Sequence, residues 1–114
     1  MTTVQLSTAT VSIADLREVV AAAIAREPAA RTRIEKGASI VLLRAITPDP
    51  EYACCFEVES ATEPGKTYSV DTSVGVCQCQ DHQRRGIRCG HVWALELLAA
   101  LAKRQAAAVT RRAA

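Results

Sequence analysis

The chain has 114 residues, nearly half of them apolar, and 14 Lys and Arg against 12 Asp and Glu leave a net charge of +2. That length bounds it to one domain with a modest core, and no apolar stretch approaches the roughly eighteen residues needed to span a bilayer. Met1-Thr2-Thr3-Val4-Gln5 lacks the basic and apolar regions of a signal peptide, and five cysteines, an odd number, fit a metal site better than a disulfide framework, so a reduced, cytoplasmic protein is expected.

The expected organisation is a flexible segment over residues 1–12, one α+β domain over 13–108 and a flexible basic tail over 109–114. Ser12 reads as a helix N-cap with Asp15 three residues on, followed by Ile13, Leu16, Val20 and Ile24 on one face and an end near Glu27. Pro28 then opens a second short helix that carries Ile34 and closes at Gly37. The apolar run Ile40-Val41-Leu42-Leu43, between Gly37 and Pro48, is short enough for a strand over Ser39 to Ile46. A turn at Thr47 to Glu51 leads to a second strand from Tyr52 to Glu59, in which Tyr52, Cys54, Phe56 and Val58 alternate with Ala53, Cys55, Glu57 and Glu59. On a strand, adjacent Cys54 and Cys55 face opposite ways and read as small buried residues. Glu63 to Lys66 is a turn, Thr67 to Thr72 a third strand, Ser73-Val74-Gly75 a turn, and Val76 to Cys79 a fourth strand. Gly90-His91 opens a last helix to about Ala107, with Val92, Leu95, Leu98, Ala99 and Leu101 toward the sheet. The fold class is α+β: a small antiparallel meander with helices before and after it.

The strongest motif lies between the last strand and that helix. Cys77-Gln78-Cys79, nine further residues, then Cys89-Gly90-His91 read as C-x-C-x9-C-x-H, three thiolates and one imidazole within fifteen residues. This donor set completes a tetrahedral zinc shell and suits zinc better than the hard, oxygen-seeking calcium or magnesium. Iron-sulfur ligation is the weaker option. The competing reading is of small buried hydrophobes plus a surface histidine. Cys77 and Cys79 fall on the same side of a strand, which is what lets C-x-C chelate. Around the ligands, Tyr68, Val70, Cys77, Cys79, Asp81, Gly86, Ile87, Cys89, His91 and Ala94 follow in the order of a known pattern. Over about residues 66–102 the chain resembles the SWIM zinc finger. The resemblance implies a strand-strand-helix (ββα) unit stapled by one structural zinc, Zn(2+), on Cys77, Cys79, Cys89 and His91, with a role in binding DNA or protein partners. One departure is His82, where the family usually has an aromatic residue; it adds a potential ligand beside the site.

Charge is uneven: residues 1–80 hold seven Lys and Arg against ten Asp and Glu, and residues 81–114 hold seven against two. Arg84, Arg85 and Arg88 lie between the ligand pairs, and Lys103, Arg104, Arg111 and Arg112 follow on the helix and tail. The leading expectation is a non-catalytic module that binds nucleic acid, most simply DNA, through Arg84, Arg85, Arg88, Lys103 and Arg104 on backbone phosphates. The alternative is a protein-interaction module docking on a larger helicase, recombination factor or other partner protein. An enzyme is disfavoured, because catalytic zinc needs an open position and a base, whereas four ligands fill this shell and Asp81 is the only carboxylate near them. Neither a small-molecule substrate nor a membrane partner is expected. Trp93 reads as core rather than as a base-stacking platform.

Overall fold

Ser12 opens the first helix as expected. In the computed structural model, which describes residues 12–60 and 62–113 with side chains through Ala107, its hydroxyl accepts a hydrogen bond from the Asp15 amide at 3.2 Å. Helix α1 runs Ile13–Arg26 and ends at Glu27. Leu16, Val19 and Ala23 are buried, whereas Ile13 is 52% exposed, so the stripe is rotated from the expected one and Val20 and Ile24 form its half-buried border. The expected flexible segment, as far as residue 11, lies outside the described residues.

Pro28 starts a single 3-10 turn, Pro28–Ala30, and α2 follows over Arg31–Leu43. Two expectations are corrected here: the helix does not stop at Gly37, and residues 39–43 are its last turns rather than the start of a strand. Ile34, Gly37, Ile40 and Val41 recur at spacings of three, three and one and are the buried face of α2. Four consecutive apolar residues fit a buried helix end as well as a strand, and packing decides between them. Gly37 is needed for close approach rather than for capping. A Cβ there would lie 2.8 Å from the Ala94 nitrogen and 2.9 Å from Trp93 Cβ, so glycine lets two helix backbones meet.

Four strands form an antiparallel sheet in chain order: β1 Ile46–Pro48, β2 Cys55–Glu59, β3 Thr67–Asp71 and β4 Val76–Cys77. Val58 sits opposite Ile46 and Tyr68, and Phe56 opposite Pro48 and Val70. Strand β2 starts three residues later than expected. The Asp49 carboxylate accepts from the Glu51 and Tyr52 amides at 2.7 and 3.2 Å, and the Cys55 amide donates to the Tyr52 carbonyl at 3.0 Å, which winds the intervening chain into a turn. Pro48 belongs to the edge strand, where its missing N–H costs no ladder bond. Gly75, at φ 70°, makes the turn between β3 and β4.

After β4 the chain enters α3, Gln80–Arg85, and then α4, Gly90–Ala113. The last helix therefore runs past Ala107 through most of the expected tail, in keeping with the helix propensity of its alanines. Its main partner is α2 rather than the sheet. Val92, Leu95 and Leu101 are buried as expected, but so are Trp93, Ala94 and Leu97, while Leu98 is half-buried and Ala99 exposed. The core joins Ile34, Ile40 and Val41 of α2 to Leu97 and Leu101 of α4 and to Val58 and Val70 of the sheet. The architecture is α+β, with a four-stranded antiparallel sheet, four α-helices and a buried Cys3His cluster among the described residues. No described helix is long and apolar enough to cross a membrane.

Candidate metal centre

Three structural elements deliver the four donors. Cys77 ends β4, Cys79 is the N-cap of α3, Cys89 immediately precedes α4, and His91 lies in the first turn of α4. All four residues are buried, and their donor atoms lie within 4.8 Å of one another. Sulfurs sharing a tetrahedral zinc at about 2.3 Å would stand roughly 3.8 Å apart, so the cluster is within a small adjustment of a coordination shell. Cys89 Sγ is already 3.8 Å from His91 Nδ1.

Local structure aims these groups. Strand β4 pairs Cys77 with Val70, and beyond it the Gln78 amide still donates to the Ser69 carbonyl at 3.3 Å before α3 begins. The Cys79 amide donates to Cys77 Sγ at 3.4 Å and the His82 amide to Cys79 Sγ at 3.5 Å. Amides aimed at sulfur orient it and stabilise its thiolate, as outer partners of metal ligands do. Gly86, at φ 65°, caps α3 in the left-handed region and turns the chain back toward Cys89. His82 is not one of the four. Its Nδ1 pairs with the Ile87 carbonyl at 2.9 Å, so this ring closes the loop.

The cluster shares its protons unevenly. The hydrogen bond from Cys77 pulls the Cys89 thiol down to about 3, with His91 adding to the effect. The same bond, then burial, pushes Cys77 far above the ordinary thiol range, and burial leads the rise at Cys79. One thiolate is thus stabilised by neighbouring thiols, whose protons a cation would replace. His91 Nε2 is buried without a hydrogen-bond partner. Buried polar atoms are rarely left so, and a metal taken by Nε2 would supply the partner that this nitrogen lacks, with Nδ1 left to Cys89 Sγ. The residues present fit zinc in donor type, number and spacing; the cluster does not by itself identify the metal.

The centre is anchored to the rest of the molecule. The Tyr68 ring packs on the His91 imidazole with centroids 4.8 Å apart. Arg33 of α2 grips Asp81 of α3 with two hydrogen bonds, at 2.9 and 3.0 Å, and Arg85 adds an ion pair to the same carboxylate at 3.2 Å. This fork holds Asp81 below the usual carboxylate range. Forty-eight positions separate Arg33 from Asp81, and no local pattern could have paired them.

The arginines expected at phosphates divide into two groups. Arg88 donates to the Glu96 carboxylate at 2.7 and 2.8 Å and to Glu27, and its guanidinium lies 4.1 Å from the centroid of the buried Trp93 ring. Arg104 pairs with Glu18 and, at 3.5 Å, with Asp15, tying α4 to α1. Arg84 and Lys103 are exposed, as is Arg85 despite its bond to Asp81; the Arg111 and Arg112 side chains lie outside the described set. Beside the centre, the sheet and α4 enclose a cleft of about 1080 Å³ that includes Phe56, Val70, Val76, Ile87, Val92, Leu95 and Leu98 in its walls. Val74, Val76 and Ile87 among its lining residues are 68, 44 and 45% exposed. No protein-family model, curated protein or solved structure matches the chain.

Proposed function

We propose that this chain is a non-catalytic zinc-binding module in which Cys77, Cys79, Cys89 and His91 hold one structural zinc, and that the module binds a protein partner. The buried cluster of four donors carries the metal reading. Three sulfurs and an imidazole suit zinc, and four protein ligands leave no position for a reacting water, which separates a structural from a catalytic site. The resemblance to the SWIM zinc finger supports the same ligand set. The partner reading follows from how side chains are used. Arg88 and Arg104 are engaged within the fold, whereas the cleft beside the centre presents apolar side chains to solvent, the kind of surface that marks protein interaction.

Nucleic-acid binding is the second reading, supported by the exposed Arg84, Arg85 and Lys103 and by the excess of Lys and Arg after residue 80. One set of measurements separates the two. Zinc-loaded protein is titrated with single- and double-stranded DNA across a salt series, beside an R84A/R85A/K103A variant, and the proteins it captures from its host are compared with those captured by an I87E variant. The protein reading expects no steep salt-dependent DNA binding and a captured species lost with I87E. DNA binding that weakens steeply with salt and collapses in the triple variant would replace it with the nucleic-acid reading. Retention of zinc through dialysis by the parent but not by C77S tests the metal assignment.

A further inference from the structure

Cys54 and Cys55 do not face opposite ways. Cys54 lies in the turn before β2, and the strand begins at Cys55, so the alternation expected of two adjacent strand residues does not apply. Their sulfurs and a carboxylate oxygen of Asp71 all lie within 4.8 Å of one another, at half-buried positions. We propose that Cys54, Cys55 and Asp71 form a second metal site, for a borderline-soft divalent cation such as zinc, held by two thiolates and a carboxylate with a remaining position left to water.

The backbone sets this triad in place. Cys55 is paired directly across from Asp71 in the β2–β3 register. The Cys54 carbonyl accepts two hydrogen bonds from Thr72, one from its amide and one from its hydroxyl, each at 2.8 Å. Asp71 is oriented by Ser73, whose amide and hydroxyl both donate to Oδ1, at 2.9 and 2.6 Å; Oδ2 is the oxygen a cation can take without breaking either bond. The Cys54 thiol thus stands beside both the Cys55 thiol and the Asp71 carboxylate. Asp49 adds further negative charge near Cys55. Three electron-rich groups are gathered at one point, and a divalent cation would replace the two thiol protons, which leave to solvent as the two metal–sulfur bonds form. Two sulfurs and an oxygen suit zinc or cobalt better than magnesium or calcium. Fewer sulfurs, less burial and an open position make this site weaker and faster to exchange than the Cys3His centre.

Titration of the full-length, fully reduced chain with cobalt(II) tests the proposal, reading sulfur-to-cobalt charge-transfer absorption and bound metal per chain after gel filtration at saturating metal. The parent is expected to take two equivalents and C54S/C55S one, with circular dichroism unchanged. D71N is expected to keep both equivalents but weaken the second at least about tenfold. A parent that takes as many equivalents as C54S/C55S overturns the second site. The outcome does not depend on the Cys3His reading, because the comparison is the equivalent lost on removing Cys54 and Cys55, whereas C77S and C79S report on the first centre.

Discussion

The helical layer and the ligand-bearing segment hold their shape by different means. Helices α1, α2 and α4 pack through Leu16, Val19, Ile34, Ile40, Val41, Leu97 and Leu101, an apolar interior that needs no other agent. From Val76 to His91, by contrast, the buried residues are Cys77, Cys79, Cys89, Gly90 and His91, and the apolar Val76 and Ile87 are substantially exposed. The first region is stabilised by area removed from water. The second buries polar donors, which favour the folded state only once they are paired.

Metal removal should therefore break the comparison most sharply. Chelation, or C77S, is expected to cost several kcal/mol, because binding free energy at such a site is folding free energy. Proteolysis should open residues 76–91 first while the helical layer resists; cleavage that begins within α2 would contradict this division. Zinc binding should strengthen as pH rises from neutrality through the ordinary thiol range. The metal-bound form has lost the protons that Cys77 and Cys79 hold above the ordinary thiol range, so raising pH favours it. Calorimetry in buffers of different ionisation enthalpy would count the protons released.

On the helical side, Ile34 is fully buried, and Ile34→Ala should destabilise the fold by about 2–5 kcal/mol, read by urea unfolding of the zinc-loaded protein. Gly37→Ala comes next. Alanine would gain about 1 kcal/mol of helix propensity, but its Cβ meets the Ala94 backbone at 2.8 Å, and overpacking of that kind costs about 1–3 kcal/mol. The net change should be destabilising, and a more stable G37A protein would show that α2 and α4 can separate freely. The smallest effect belongs to the joint between the two regions. Asp81→Asn removes the charge that Arg33 and Arg85 share, and with both partners partly exposed the loss should be about 1 kcal/mol. A change several times larger would mean that the ion pair, more than the metal, fastens the ligand segment to α2.

Much of this molecule was legible in short stretches of chain. The Ser12 cap, the turns at Gly65 and Gly75, and the C-x-C and C-x-H spacings each depend on residues within a few positions, where local stereochemistry dominates; the strand expected to carry both Cys77 and Cys79 stops at Cys77, and Cys79 instead caps α3. Helix α3 was also legible in principle: Cys79 precedes a polar run that stops at Gly86, a cap-and-stop pair obscured by reading that run only as a basic loop. Residues 39–43 were not legible, because a short apolar run satisfies a buried helix end as well as a strand and the choice depends on what it packs against.

What the sequence alone determined was which groups exist and how closely they are spaced along the chain: the four-donor set, the α+β class and the uneven charge. Only the tertiary structure decided what those groups meet. It turned Gly37 from a helix stop into the point where α2 and α4 approach, engaged Arg88 with Glu27, Glu96 and Trp93, and brought Cys54, Cys55 and Asp71 together. The reason is physical: helix caps and turns are governed by neighbours along the chain, whereas packing partners, ion pairs and metal clusters are set by which distant segments the core draws together.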